Sequence, residues 1–135
     1  MNDTGTLRVG IDLVMVSRIA ESLERFGERF LRRVFTDGEI AYATAAPALT
    51  AERLAARFAA KEATIKALRL RDRGIDWRDI EVRRTATGFV ELALRGAARE
   101  AAARCGAGEL AVSLSHEGDF ATAVVVTRVR EISGT

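Results

Sequence analysis

Apolar and polar positions alternate along the chain in blocks that predict strands and helices in mixed order. Leu7 to Leu13 forms an apolar block typical of a buried strand, with Asp12 as its one carboxylate. From Ser17 to about Val34 the period becomes helical, and at about 100° per residue one apolar face can be traced. That face contains Ile19, Leu23, Phe26 and Phe30.

Two further helices are predicted in the middle of the chain. Thr36 followed by Glu39 is a capping box, so a short helix begins there within Thr36–Ala48, and Pro47 ends it. Thr50 is then predicted to cap a long alanine-rich helix that continues to about Leu70. The apolar stripe of this helix contains Leu54, Phe58, Ile65 and Leu68.

The second half of the chain is predicted to consist of two hairpins and a short helix, after a charged loop over Arg71–Asp76. Because helices are interspersed with hairpins, the order favours an α+β fold over a repeated βαβ array. The length of 135 residues fits one domain spanning residues 1–135. The predicted elements are strands Asp79–Arg84 and Phe89–Leu94, helix Gly96–Arg104, strand Leu110–Leu114, a turn at His116–Asp119 and strand Phe120–Val129.

Composition narrows the class of protein. Hydrophobic residues make up 48% and charged residues 30%, as in soluble globular proteins. The single cysteine, Cys105, cannot form an internal disulfide, and with one histidine it makes no zinc site, so we expect a cytoplasmic protein. No apolar run reaches the ~20 residues needed to span a bilayer, and we expect no membrane association.

Charge points to anionic partners without choosing among them. The net charge is +2, and all but two of the 21 basic residues are arginine, the exceptions being Lys61 and Lys66. Arginine offers paired donors that suit phosphate and carboxylate groups. A nucleic acid, a nucleotide cofactor and an acidic protein remain open at this point.

Four charged residues could carry chemistry. Lys61 projects toward the apolar stripe of the long helix, where its charge must be paired or must bind something. Glu62 and Lys66 are four residues apart, so they either form a surface ion pair or share a functional edge of the helix. Asp12 either caps the turn after its strand or joins Glu62 as a ligand of Mg²⁺, which prefers one or two carboxylates plus phosphate oxygens and water.

His116 is the other candidate, at the end of a strand beside Ser113 and Ser115. A lone histidine there is more often a solvated turn residue than a ligand-binding one.

The first helix segregates its charges by sign. Its basic residues lie within an arc of about 80° beside the apolar stripe, whereas Glu21, Glu24 and Glu28 lie on the opposite shoulder. This pattern is compatible with a solvated face or with a docking strip for an acidic helix. The basic residues are Arg18, Arg25, Arg29 and Arg32.

Three segments together resemble the holo-acyl carrier protein synthase branch of the 4′-phosphopantetheinyl transferases. They are Val9–Leu13, Arg57–Ala63 with Lys66–Leu68, and Ser113–Glu117. Their order and spacing match that family, and Asp79–Val82 lies where the family has a similar strand. The resemblance covers about residues 7 to 126.

The resemblance implies a function and a set of roles. The expected reaction transfers the 4′-phosphopantetheine group of coenzyme A to a serine of an acidic apo-acyl carrier protein and releases adenosine 3′,5′-bisphosphate. Asp12 and Glu62 would bind Mg²⁺ and act in catalysis with Lys66. Lys66 and Arg57 would meet phosphate or carrier-serine groups, and Lys61 would be part of the same phosphate-facing edge of the helix. Ser115 and His116 would line the nucleotide end.

The resemblance also implies a homotrimer with each active site at a subunit boundary, a role in lipid metabolism such as fatty acid biosynthesis, and no nucleic-acid partner. The sequence leaves open whether the carrier protein serves fatty acid or polyketide synthesis, and it identifies no general base. Two alternatives remain, a Mg²⁺-dependent phosphodiester hydrolase and a non-catalytic module that binds carrier proteins.

The chain departs from the family pattern at two places. Arg69–Arg73 precede Gly74 where a glycine is expected directly after Leu68, and this difference touches a loop that the resemblance places near the cofactor. Phe89–Val90 follow Gly88 where a Lys-Pro pair is usual.

Overall fold

The computed structural model describes residues 5–71 and 73–130. It has the predicted α+β class, with five helices, five strands and two short 3₁₀ turns in this part of the chain. In chain order the elements are β1 (Thr6–Met15), α1 (Val16–Phe26), α2 (Glu28–Val34), α3 (Asp37–Thr44), a 3₁₀ turn (Pro47–Leu49), α4 (Thr50–Leu68), a 3₁₀ turn (Trp77–Asp79), β2 (Ile80–Arg84), β3 (Val90–Leu94), α5 (Gly96–Arg104), β4 (Ala107–Glu117) and β5 (Phe120–Val129).

Two antiparallel sheets flank the central helix α4. The larger sheet has the order β1-β5-β4, so the first strand of the chain pairs with the last, and β2 and β3 form a separate hairpin. Asp12 is paired with Ala123 on β5, and Ala123 with Leu114 on β4. No helix among the described residues is long and apolar enough to cross a membrane.

The two faces of the larger sheet differ in burial. The inner face is built from small or β-branched residues, including Ala121, Ala123 and Val125, all of which are fully buried. The outer face carries apolar side chains in solvent, so the prediction that β1 is buried is correct for one face only. The exposed members on β1 are Leu7, Val9, Ile11, Leu13 and Met15.

A close contact between α4 and β1 fixes the position of the helix. A Cβ atom on Gly10 would overlap the carbonyl oxygen of Ala63 and would lie 2.7 Å from the backbone nitrogen of Ala67. Only glycine therefore permits this approach. Because Asp12 is two residues further along β1, it faces the same helix as Gly10.

The predicted helix over Ser17–Val34 is two helices. Gly27 adopts φ of 55° and ψ of −130°, which ends α1 and starts α2 in a new direction. Phe26, predicted on the core-facing stripe, is 52% exposed as a result.

Other boundaries differ by a few residues. The capping box of Thr36 and Glu39 is confirmed. Thr50 does not cap α4, because its hydroxyl donates to the Ala43 carbonyl at 2.9 Å. The helix ends at Leu68, two residues earlier than predicted, because Arg69 is left-handed with φ of 56°. His116 and Glu117 belong to β4 rather than to the turn.

Candidate active site

Asp12 and Lys66 meet where the inner face of β1 passes under the second half of α4. Lys66 Nζ lies 3.1 Å from Asp12 Oδ1 and donates to the Ile11 carbonyl at 2.9 Å. The Asp12 side chain is 19% exposed and that of Lys66 is 45% exposed, so the pair opens to solvent. Lys66 thus pairs with a strand residue, whereas the surface pair with Glu62 is not among the ion pairs of the described residues.

Glu62 lies on the same edge of α4, one turn before Lys66. Its partial burial and then the negative charge of Asp12 raise the pKa of this carboxyl, while Lys66 and Arg71 act in the opposite direction. The side chains of Asp12, Glu62 and Lys66 therefore form one interacting cluster.

The donor set of this cluster suits a hard divalent cation. No group of three or more histidine, cysteine, aspartate or glutamate residues is assembled in the described part of the chain, so the cluster offers two carboxylates. Mg²⁺ is typically held by one or two carboxylates and completes its octahedron with waters and phosphate oxygens. A bound cation would also offset the repulsion between Asp12 and Glu62. The residues present fit Mg²⁺.

Lys61 is a correction to the predicted site. Its side chain is completely buried, and its ammonium group lies 2.8 Å from Glu39 Oε1, which is equally buried. The same group donates to the carbonyl oxygens of Trp77, at 3.0 Å, and of Ile80. All three protons are thus bound inside the protein, so Lys61 joins α4 to α3 and β2 and cannot reach a phosphate in solvent.

A second cluster surrounds Tyr42 of α3. The guanidinium carbons of Arg53 and Arg57 each lie 4.2 Å from the centre of the Tyr42 ring, and Arg84 donates to the Tyr42 hydroxyl at 2.8 Å. Arg57 is 4% exposed, burial lowers its pKa, and its Nε has no hydrogen-bond partner. Its buried and unpartnered donor is the arrangement expected of an anion-binding group.

His116 and Ser115 border the same region at the end of β4. A cleft of about 260 Å³ lies between the start of α4, α3 and this strand, and both residues line it. His116 pairs with the inward-facing Ala121, whereas Ser115 pairs with Thr122 on the outer side. Both Ser115 and His116 also line a second, outer depression. The complete lining of the cleft is Tyr42, Leu49, Glu52, Arg53, Ala56, Arg57, Leu114, Ser115 and His116.

The predicted site residues thus fall into two groups that one chain does not bring together. Glu62 and Arg57 are five residues apart on α4, which places their side chains about 140° apart around the helix. Asp12 and the strand of His116 lie on opposite edges of the larger sheet, separated by β5 and therefore by roughly 10 Å. We name the Asp12–Glu62–Lys66 group the carboxylate cluster and the residues around Arg57 the arginine cleft.

The predicted docking arginines are exposed but do not form one strip. Arg18 and Arg25 lie on α1, and Arg29 and Arg32 lie on α2 beyond the break at Gly27. Arg32 pairs with Glu28 at 3.0 Å and with Asp37 at 3.8 Å, so Glu28, predicted on the opposite shoulder, neutralises one of the basic residues. Arg18 and Arg25 have no ion pair within 4.0 Å among the described residues.

Sequence reasoning missed Tyr42, Glu52, Arg53 and Arg84. Tyr42 is the only tyrosine of the chain, yet its position says nothing about three arginines that converge on it from α4 and β2. Glu52 contacts His116, 64 positions away, and no local pattern predicts such a contact.

Comparison with known proteins identifies relatives along most of the chain. A sequence profile of the 4′-phosphopantetheinyl transferase superfamily matches residues 8–125. The holo-[acyl-carrier-protein] synthase of Gloeobacter violaceus is 47% identical over 118 residues, which are 87% of this chain and 89% of that protein. The corresponding protein of Koribacter versatilis is 44% identical over 89% of this chain and 96% of its own length.

Solved structures of similar proteins share the fold of this chain. The Chronobacterium ammoniagenes ACPS–CoA complex superposes with a TM-score of 0.82 at 36% identity, covering 93% of this chain and 99% of that one. The Helicobacter pylori holo-[acyl-carrier-protein] synthase in complex with coenzyme A gives a TM-score of 0.77 at 30% identity, covering 88% and 98%.

Proposed function

Because this chain belongs to the 4′-phosphopantetheinyl transferase superfamily, we propose that it is a magnesium-dependent holo-[acyl-carrier-protein] synthase. It transfers the 4′-phosphopantetheine group of coenzyme A to a serine of an apo-acyl carrier protein and releases adenosine 3′,5′-bisphosphate. The relatives are named for this activity, and two of the similar structures contain coenzyme A.

The observation that carries the proposal is the carboxylate cluster. Two carboxylates from β1 and α4 and one ammonium group converge at a solvent-open position, held there by the close contact of Gly10 with Ala63. Phosphoryl transfer depends mainly on positioning and on neutralisation of charge rather than on covalent chemistry by the protein. The cluster supplies both.

In this account each member of the cluster has one task. Asp12 and Glu62 would hold Mg²⁺, which supplies neutralisation of charge on the pyrophosphate of coenzyme A. Lys66 is positioned by Asp12 and the Ile11 carbonyl, and its ammonium group binds a phosphate oxygen from the other side. The carrier serine attacks the β-phosphate, its proton leaves to solvent or to a carboxylate of the cluster, and the adenosine bisphosphate departs with the bonding electrons.

The arginine cleft is proposed to hold the nucleotide end of coenzyme A. Arg57 offers an unpartnered buried donor, and Ser115 and His116 line the cleft beside it. The cleft contains both apolar walls, such as Leu49 and Leu114, and cationic groups, which suits a base joined to phosphates.

We propose a homotrimer in which neighbouring copies complete each site. Two observations support this. The carboxylate cluster and the arginine cleft of one chain face different directions around α4. The outer face of the larger sheet also exposes a continuous apolar row, with Leu7, Val9, Ile11 and Leu13 each about 60% exposed, as expected of an oligomer interface.

Arg18 and Arg25 of α1 are the proposed docking residues for the carrier protein, with Arg29 and Arg32 contributing from α2. The two residues on α1 are exposed and free of ion pairs with carboxylates in the described chain, as a surface for an acidic helix requires. We further propose that the enzyme acts in the cytoplasm, in keeping with a single cysteine, and serves lipid metabolism.

The function is tested by incubating the protein with apo-acyl carrier protein, coenzyme A and Mg²⁺ and measuring the intact mass of the carrier. We expect a gain equal to one phosphopantetheine group, which disappears when a chelator removes the metal. An unchanged carrier mass at every Mg²⁺ concentration would refute the proposed function.

A further inference from the structure

Glu52 contacts the one histidine of the chain at the edge of the arginine cleft. Glu52 lies in the first turn of α4, and its Oε1 is 3.3 Å from Nδ1 of His116 on β4. The Glu52 side chain is 31% exposed and that of His116 is 58% exposed, so both are open to a ligand. The contact therefore joins α4 to β4 in the wall of the arginine cleft.

The charge of Glu52 is unusual for its surroundings. Among the described residues that line the cleft, Glu52 is the only carboxylate, and the lining also includes Arg53 and Arg57. A carboxylate in the wall of a cleft that binds an anion repels that ligand unless a protein group pairs with the carboxylate. His116 is the only ion-pair partner within 4.0 Å of Glu52 among the described residues.

The contact also determines which nitrogen of His116 remains for a ligand. Since Nδ1 lies 3.3 Å from Glu52 Oε1, Nε2 is the nitrogen that has no carboxylate within ion-pair distance among the described residues. A carboxylate next to one imidazole nitrogen fixes the orientation of the ring and leaves the other nitrogen to contact a ligand. Carboxylates behind metal-bound histidines act in this way.

We propose that Glu52 is a positioning residue that holds His116 by Nδ1 so that Nε2 contacts an anionic group at the nucleotide end of coenzyme A. The inference rests on the proposed function, because it deepens the role of the same cleft. It assigns Glu52 to ligand binding although Glu52 itself touches no phosphate.

The test compares binding of two halves of the substrate by calorimetry. One probe is adenosine 3′,5′-bisphosphate and the other is 4′-phosphopantetheine, which lacks the nucleotide. We expect Glu52→Gln to weaken binding of the bisphosphate about 10-fold and to leave binding of 4′-phosphopantetheine unchanged. In turnover, KM for coenzyme A should rise more than kcat falls.

Three further variants distinguish positioning from a structural role. Glu100→Gln, an exposed change on α5 remote from the cleft, should bind both probes as the wild type does. His116→Gln should weaken bisphosphate binding, and the double variant Glu52→Gln/His116→Gln should be no weaker than His116→Gln alone, because Glu52 acts through the ring.

Additive losses in the double variant, equal losses for the two probes, or tighter bisphosphate binding by Glu52→Gln would each overturn the proposal. Wild-type transfer to the carrier protein is measured in the same series. If the wild type is active and Glu52→Gln binds the bisphosphate normally, the inference about Glu52 fails while the proposed function stands.

Discussion

At the scale of single residues, the proposed site holds two carboxylates, Asp12 and Glu62, near each other. Partial burial and the charge of Asp12 both raise the pKa of Glu62, so the metal-free protein binds a proton at Glu62 more tightly than the unfolded chain does. A cation bound between Asp12 and Glu62, as proposed, would offset this repulsion. The same environment gives a measurable dependence of stability on pH.

We expect metal-free Glu62→Gln protein to melt at a higher temperature than the wild type at neutral pH. The raised pKa means that ionised Glu62 destabilises the fold, and that the wild type regains this stability as the pH falls through the pKa of Glu62. The difference in melting temperature should therefore shrink on acidification. Glu100→Gln serves as the control, and a lower melting temperature for Glu62→Gln at neutral pH would contradict the account.

Several of these residues could be predicted from the sequence, and others could not. The helical spacing of Glu62 and Lys66 placed them on one edge of α4, because that relation is local. The sequence also places Lys61 on this edge, although its direction toward the core requires a partner. The fold shows that this partner is Glu39. The contacts of Tyr42 and Glu52 join residues far apart in the chain, and periodicity carries no information about such pairs.

At the scale of elements, the contact of α4 with β1 determines whether the carboxylate cluster forms. Gly10 lies against the backbone of α4 at Ala63 and Ala67, and Asp12 follows two residues later. The small side chains of the alanine-rich α4 permit this close approach. The break at Gly27 was missed, since the apolar period continues across it and only the left-handed backbone of that glycine ends α1.

We expect Gly10→Ala to reduce transfer strongly, because a methyl group at this position must push α4 away from β1 and separate Glu62 from Asp12. Gly108→Ala is the matched control: its Cβ would lie 3.5 Å from the nearest atom, the Arg128 carbonyl oxygen, in ordinary contact. The measurements are transfer activity and melting temperature. Equal effects of the two substitutions would show that the close approach is not required.

Helix α1 carries a second prediction at this scale. Reversing the charges of Arg18 and Arg25 to glutamate should raise KM for the carrier protein about 10-fold or more, and KM for coenzyme A should barely change. The wild-type KM for the carrier should increase with salt, and the double variant should show a flatter salt dependence. Arg104→Glu on α5 is the control. Identical salt dependence in the wild type and the α1 variant would mean that these arginines are only solvated.

At the scale of the whole molecule, the carboxylate cluster and the arginine cleft of one chain face different directions around α4. The order of helices and hairpins in the sequence predicts the α+β class. The separation of the carboxylate cluster from the arginine cleft depends instead on the way α4 crosses the sheet. The sequence predicts a buried strand, yet β1 exposes a row of apolar side chains on its outer face. In the proposed trimer another copy covers this face.

Mixing two inactive variants tests the shared site. Asp12→Asn removes the carboxylate cluster of its own copy, and Arg57→Met removes the arginine cleft. If neighbouring copies share each site, a 1:1 mixture exchanged between trimers should regain about a quarter of the wild-type activity, since half of each contributing surface is intact. No recovery after demonstrated exchange, or a monomer with full activity, would contradict the shared site.

The most direct test of the account is the loss of transfer when either carboxylate of the cluster is neutralised with its shape retained. Asp12→Asn and Glu62→Gln should each reduce phosphopantetheine transfer to the carrier at least ~100-fold at ordinary Mg²⁺, because each removes a carboxylate from the metal site. Circular dichroism should show the fold unchanged. Near-normal transfer by either variant would contradict the claim that Asp12 and Glu62 carry the reaction.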